Sequence, residues 1–258
     1  HADVCEIYTD VDGVFSADPR VVPNARQLGV LTYEETLELA AHGAKVLHLR
    51  AVEFARKFNV PIHVRSSFSD KEGTWIVSDN LSEQKAMEAP VISGVAHDRS
   101  QAKISLVGVP DMPGTAAKVF AVVGEADGNI DMIVQNSSIS KPGIANISFT
   151  VPQAQLANVV EALEAAKDSV GFDDLKVTES IGILSIVGAG MRSHSGASAR
   201  LFRTLADLGL NVDMISTSEI RISVVLDPST LEEAAKAVHT AFGLDSESVA
   251  VVYGGTGR

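Results

Sequence analysis

The feature that most limits what this chain can fold into is that it says the same thing twice. Ile104–Ile133 reads ISLVGVPDMPGTAAKVFAVVGEADGNIDMI, and Leu184–Ile215 reads LSIVGAGMRSHSGASARLFRTLADLGLNVDMI. Gly108 and Gly188 stand 80 residues apart, whereas Gly114 and Gly196, Phe120 and Phe202, Asn129 and Asn211, and Asp131 and Asp213 stand 82 apart. The offset changes once, between the two glycines, where a loop tolerates an insertion. A fixed repeat with one such step marks a duplicated structural unit.

Each copy predicts a β-α-β start. In the first, Ile104–Val109 reads as a strand, Thr115–Ala126 as an amphipathic helix and Asn129–Val134 as the next strand. In the second these are Leu184–Val187, Ser198–Leu208 and Asn211–Ser216. A further strand (Ala145–Val151, Ile220–Leu226), helix (Gln155–Ala166, Thr230–Ala241) and closing strand (Leu175–Thr178, Val249–Val252) complete βαββαβ twice. This is the split-βαβ, ferredoxin-like order, whose sheet leaves an edge free to pair with another copy.

Residues 1–78 carry a different, mixed α/β pattern. Val4–Tyr8 and Val60–Val64 read as strands, and Asp10–Arg20 as a turn-rich loop. Thr32 followed by Glu35 is a capping-box signature ahead of Leu37, Ala40, Ala41 and Ala44 at helical spacing, and a second helix spans Val46–Phe58. Residues 79–90 turn polar and read as a linker. The expected partition is therefore 1–78, linker 79–90, 91–179 and 180–258.

Composition narrows the function. A formal charge of −12 argues against nucleic acid or an anionic membrane as main partner. No apolar run reaches about 18 residues, so no membrane-spanning helix is expected. A single cysteine, Cys5, rules out an internal disulfide framework and fits a cytoplasmic protein. A start at His1, directly in a strand-like run, suggests a piece of something longer.

In each copy the loop after the first strand leads into a helix N-terminus, where unpaired N–H groups suit a carboxylate and glycine permits close approach. Gly114 and Gly196 occupy that point; Asp111 can pair with an ammonium group, and Asn129, Asp131 and Gln135 follow the helix. Together they describe recognition of a free α-amino acid, against the plainer reading of turn and helix-stop residues. The second copy replaces Asp111 with Met191-Arg192-Ser193-His194, so the two copies should not bind alike. Tyr8–Gly13 briefly resembles a calcium loop, but its twelfth position is Val21 rather than a carboxylate. Neither a P-loop nor a Cys/His metal spacing occurs, so no metal ligands are expected. His48, His63 and His97 read as structural or surface residues. Arg20 and Lys45 are cations in a region of hydroxyls and carboxylates, which leaves nucleotide phosphate binding open.

YTDVDGVFSADPR (Tyr8–Arg20), ELAAHGAKVLHLRAVEFA (Glu38–Ala55), PIHVRSSFS (Pro61–Ser69), VGVPDMPGTAAKVF (Val107–Phe120) and ISTSEIRISV (Ile215–Val224) together resemble bacterial aspartokinases of the lysine- and threonine-responsive actinobacterial type. The resemblance implies an α/β fold: the C-terminal part of an amino-acid-kinase domain, followed by two ferredoxin-like ACT domains. It implies that Thr9, Asp10, Phe15, Ser16, Ala17, Asp18, Pro19 and Arg20 line an ATP site, with Lys45 catalytic near the phosphates and Mg²⁺ accompanying ATP. It places a threonine effector around Asp111, Gly114, Ala116, Ile130, Asp131 and Gln135, with Asn211 and Val212 from a facing ACT domain. A lysine effector is implied near Ala197, Ser198, Ser218 and Glu219.

The implied reaction is phosphorylation of L-aspartate by ATP to 4-phospho-L-aspartate, at the head of lysine, threonine and methionine synthesis, in a homo-oligomer or an α/β hetero-oligomer joined through ACT–ACT sheet pairing. The family's Lys-Phe-Gly-Gly and Gly-Arg-Gly-Gly-Ser-Asp motifs are absent, so this stretch alone is expected to be inactive, catalysis belonging to the full-length enzyme. The alternatives are a non-catalytic effector-binding subunit of the same enzyme, for which Met87 would suit an internal start, and a plain oligomerisation module.

Overall fold

Thr32 and Glu35 begin the first helix as their spacing predicts. In the computed structural model, which describes residues 2–44, 46–79, 91–138 and 141–253, both halves of the capping box form. The Glu35 amide donates to Thr32 Oγ1 at 3.1 Å, and Glu35 Oε2 accepts from the Thr32 amide at 3.1 Å. Helix α1 follows over Tyr33–Ala41. Helix α2 (Leu49–Phe58) stops where Asn59 turns left-handed at φ 50°. These helices accompany a four-stranded mixed sheet of β1 (Cys5–Thr9), β2 (Val30–Thr32), β3 (Ile62–Ser66) and β4 (Thr74–Val77), in the order β1-β3-β4-β2. β1 runs parallel to β3, with Cys5 beside Ile62 and Thr9 beside Ser66. Strands β2 and β4 escape pattern reading because runs of three and four residues carry too little periodicity. Leu31, Leu39, Val52, Ile62, Val64 and Ile76 fill the core.

The chain divides into two compact units. One comprises His1–Asp98, Leu184–Val224 and Ser229–Arg258; the other comprises Arg99–Ile183 and Val225–Pro228. Strands β5 (Gly94–Pro110) and β8 (Asp174–Val187) run through both.

The second unit holds most of β5, helix α3 (Thr115–Glu125), β6 (Ile133–Ser137), β7 (Ile144–Pro152), α4 (Leu156–Ala165), the short α5 (Lys167–Val170) and the first ten residues of β8. Its strands lie in the order β6-β7-β5-β8, the split-βαβ arrangement. β7 pairs antiparallel with both neighbours, so Phe149 stands opposite Ile104 on one side and Ile133 on the other. Apolar residues alternating on these strands meet Val119, Val123, Val159 and Leu163 from the helices. Phe120 packs edge-on against Phe149 with centroids 5.7 Å apart.

In the first unit the end of β8, α6 (Ala197–Asp207), β9 (Met214–Thr217), most of β10 (Arg221–Leu226) and α7 (Leu231–Ala241) form the second copy. Two expectations need correcting. Leu175–Thr178 and Leu184–Val187 are not separate strands but parts of β8, whose exposed first half tolerates the polar Glu179-Ser180 step. Val249–Val252 does not close the second sheet. The sheet order β5-β8-β10-β9 gives that place to the start of β5, and the Ser93 amide donates to Val187 O at 2.8 Å. The tail instead follows the turn-rich loop: Ala250 N–H donates to Pro23 O at 2.8 Å, Tyr253 N–H to Asp10 O at 2.9 Å, and Val252 bridges Val11.

Glu35 does more than cap α1. It is 6% exposed, and its Oε1 accepts from Ser93 Oγ at 2.5 Å and from the Ala189 amide at 2.9 Å. Thr32→Ala, which loses only the cap, should cost about 1 kcal/mol, whereas Glu35→Ala, which strands several buried donors, should cost about 3 kcal/mol. Urea unfolding measures both; equal losses would reduce Glu35 to a helix cap.

Candidate functional site

A cavity opens at the C-terminal end of β1. Its walls are apolar, from Val11, Val14, Phe15, Leu39, Ala44, Val46, Val95, Ala96 and Val252, and its polar groups are Thr9, Asp10, Asp18, Arg20 and His97. Ligands of α/β sheets collect at strand C-termini, because loops there diverge and leave a crevice. Seven of the expected nucleotide residues line it: Thr9, Asp10, Phe15, Ala17, Asp18, Pro19 and Arg20. Arg20 pairs with Asp10 at 3.8 Å, both groups substantially exposed. Thr9 Oγ1 accepts from the Val11 amide at 3.1 Å, and Asp18 Oδ1 from the Arg20 amide at 2.9 Å, so side chains brace the loop. Ser16 is not among the lining residues. Its hydroxyl is buried and meets His239 Nε2 at 2.8 Å. Lys45 lies outside the described residues.

Several lining residues had no local signal in the sequence. Val95, Ala96 and His97 come from β5 and Val252 from the tail, each distant in sequence from the loop. Gly43 lines the cavity at a close backbone approach. Its φ is +113°, and an added Cβ would stand 2.0 Å from His97 O, so only glycine lets these backbones meet. His63 is structural: it is buried and stacks on Trp75 at 3.9 Å between ring centroids. His48 is exposed just before α2.

In the second unit the candidate amino-acid site forms around the start of α3. Gly114 precedes the helix with no side-chain cap, and nothing lies within 4 Å of where its Cβ would be. Asp111 Oδ2 accepts from Ser137 Oγ at 2.7 Å, which ties the loop to β6, where Gln135 also sits. Ser137 was not foreseen. Asp131 and Ile130 lie just before β6, where the Asp131 and Met132 amides reach Thr150. Ala116 lies in the first turn of α3.

The corresponding place in the first unit differs in charge. Gly196 again precedes an uncapped helix with open space beside it, and Ala197 and Ser198 start α6. Arg192 stands in the loop, with Nε 3.4 Å from Glu219 Oε2 and a second guanidinium nitrogen 3.5 Å from Asp79. The Ser218 amide donates to Arg221 O at 2.8 Å, and Asn211 and Val212 precede β9. One copy thus carries a carboxylate–hydroxyl pair where the other carries a guanidinium–carboxylate pair.

The amino acid kinase family matches residues 1–66, and the ACT domain family matches residues 104–166 and 184–242. The aspartokinase of Mycolicibacterium smegmatis is 56% identical over 257 residues, spanning 100% of this chain and 61% of its own length. A crystal structure of aspartokinase α and β subunits is 41% identical, with a TM-score of 0.55, over 59% of this chain and 99% of that one. The chain belongs to the aspartokinase family. The aspartate kinase of Clostridium acetobutylicum, at 25% identity, superposes with a TM-score of 0.81 over 93% of this chain and 55% of its own. The chain therefore spans 61% of the length of its M. smegmatis relative.

Beside the cavity of this aspartokinase chain, Asp12 occupies the loop that resembled a calcium site. It is 1% exposed, with its carboxylate held by Ser69 Oγ at 2.6 Å and Lys71 Nζ at 2.7 Å. Burial works against its ionisation, but the hydrogen bonds from Lys71 and Ser69 outweigh it, and the pKa falls below the ordinary 3.8. The same bond raises Lys71. A carboxyl lowered in the folded state stabilises above its unfolded pKa and loses that contribution as pH falls through the folded value. The stability gap between the parent and Asp12→Asn should accordingly be full at neutral pH and close below about pH 4. Urea midpoints measured from pH 7 to pH 2.5 test this, and a gap independent of pH would overturn the ion-pair account.

Proposed function

We propose that the protein containing this chain is an aspartate kinase, transferring the γ-phosphoryl of ATP to the side-chain carboxylate of L-aspartate to give ADP and 4-phospho-L-aspartate. The observation that carries the reading is the cavity at the end of β1, lined by seven residues that the family resemblance assigns to ATP. Its apolar wall suits a nucleobase, and Arg20 at its polar side suits phosphate. Lys45 is assigned to the phosphates by resemblance, where a cation offsets charge developing during transfer. Among the described residues no cluster of three or more His, Cys, Asp or Glu forms a metal cage. Mg²⁺ would arrive with the nucleotide phosphates and would need only one or two carboxylates, such as Asp10 or Asp18.

The partition into a kinase part (1–78), a linker (79–90, of which 80–90 lie outside the described residues) and two ACT domains (91–179 and 180–258) is part of the same reading. The ACT domains bind the feedback effectors. Threonine takes the site of Asp111, Gly114, Ala116, Ile130, Asp131 and Gln135, completed by Asn211 and Val212 of a facing copy. Lysine takes Ala197, Ser198, Ser218 and Glu219. Strands β6 and β9 end the sheet on either side and expose Ile133 and Ile215, which supports sheet pairing between ACT domains in a homo- or α/β hetero-oligomer. The assignment to lysine, threonine and methionine synthesis follows from the reaction, and the cytoplasm from the lone cysteine. No helix among the described residues is long and apolar enough to cross a membrane. A second reading, the non-catalytic regulatory subunit, is favoured by the near-complete coverage of the solved α and β subunit chain. The kinase-family match over residues 1–66 weighs against it. Met87, the suggested internal start, lies outside the described residues.

Asp131→Ala in the full-length enzyme should leave turnover largely intact and raise the threonine concentration for half-inhibition by roughly tenfold, the loss expected for one charge-assisted contact. Asp213→Ala should shift it less, because its loop has no counterpart of Asp111. Activity titrated with threonine at fixed lysine decides: superimposable curves for the parent and Asp131→Ala would remove the effector assignment.

A further inference from the structure

The loop that lines the cavity is held from behind by a buried polar chain. Phe15 and Ala17 face the cavity, but Ser16 between them points the other way and is 0% exposed. Its Oγ accepts from the Arg26 amide at 2.9 Å and lies 2.8 Å from Nε2 of His239, a basic residue in the last turn of α7 and itself 0% exposed. On the far side of the ring, His239 Nδ1 lies 2.8 Å from Asp245 Oδ1.

The partners assign the protons. A carboxylate can only accept, so Nδ1 carries the hydrogen, and Nε2 is left as an acceptor for the Ser16 hydroxyl. The imidazole in this arrangement is neutral. Burial, the largest influence, lowers the His239 pKa below 6.5 against the opposing pull of Asp245, and the Arg26 charge lowers it further. Serine, histidine and aspartate in this order have the atom types of a nucleophilic triad. Here they hold rather than react, because Ser16 has no exposed surface and none of the three lines the cavity.

The backbone of Ser16 is pinned as well. Its amide donates to Arg26 O at 2.8 Å, and its carbonyl accepts from the Val95 amide at 2.7 Å. The side-chain link alone connects it to α7, the last helix of the second ACT copy. We infer that His239 is a positioning residue for the nucleotide: through Ser16 it sets where Phe15 and Ala17 stand, so the second ACT copy tunes ATP affinity by a direct hydrogen bond. The inference rests on the nucleotide reading of the cavity.

The test uses the full-length enzyme and compares the parent with Ser16→Ala, His239→Leu, the double variant and His239→Gln. Nucleotide binding is followed with ATP by calorimetry, and the KM for ATP and kcat by steady-state assay. Each single variant should raise the ATP Kd and KM about fivefold to tenfold, as for loss of one buried neutral hydrogen bond, with kcat and the aspartate KM within about twofold. The double variant should be close to the worse single and well short of additive, since both break the same Ser16–His239 bond. His239→Gln places an amide where Nε2 was and should recover most of the affinity. Unchanged ATP affinity in folded Ser16→Ala, additive losses in the double variant, or a fall in kcat with unchanged KM would each overturn the proposal. Ser16→Ala removes only a hydroxyl and carries the test if His239→Leu unfolds. A parent that binds no ATP would overturn the nucleotide reading and this inference with it.

Discussion

Much of the first unit depends on how one buried carboxylate is satisfied. Glu35 receives the amide and hydroxyl of Thr32, the hydroxyl of Ser93 and the amide of Ala189. An acidic side chain buried this deeply is tolerated only with donors around it. Meeting that demand brings three chain segments together: the start of α1, the approach to β5 and the first loop of the second repeat. One turn further along, Arg221 of β10 reaches Glu38 Oε2 at 3.1 Å and His42 Nε2, while His42 Nδ1 bonds Glu38 O at 2.8 Å. Helix α1 is thereby fixed to the second repeat along its length.

The same helix shapes the cavity. Leu39 lines it from α1, and Gly43 and Ala44 line it from the turn beyond. Any movement of the second repeat that alters the donors around Glu35 or Glu38 acts on a helix that also forms the cavity wall. A ligand acts through such coupling only by favouring one arrangement over another, and polar contacts with fixed partners supply discrete alternatives. The tail adds a second connection, since Val252 touches Val11 and lines the same space.

Duplication gave two similar scaffolds, but their surroundings pulled them apart. In the first copy the loop acid, Asp111, is bonded to Ser137 on an exposed edge strand. In the second the loop carries Arg192, paired with Glu219 and Asp79, and the adjoining Ala189 is committed to Glu35. Two loops built on one plan therefore differ in their charged groups: a lone carboxylate beside a hydroxyl in one, a guanidinium between two carboxylates in the other.

The local rules were legible in the residues themselves. Thr32 and Glu35 formed their capping box, Asn59 ended α2, and the apolar alternation around Ile104, Leu106, Ile147 and Phe149 built the sheet core of the first repeat. The loop Asp10–Arg20 was legible as turn-rich, and most of it lines the cavity. Pattern failed where partners were distant. Val249–Val252 reads as a strand by composition, yet the start of β5 had taken its place in the sheet, so the tail paired with the turn-rich loop instead. Asp12 reads as a failed metal ligand until Lys71 and Ser69 are seen beside it. Ser16, within the loop, reads as one more hydroxyl at the site until His239 is found 223 positions away. What the sequence alone determined was the longer helices and strands and the family, because caps, turns and periodicity act over a few residues. Which strand completes the second sheet, which side chains close the cavity and which hydroxyl anchors its loop were decided only in the tertiary structure, because burial and hydrogen-bond satisfaction depend on neighbours that the chain brings together from far apart.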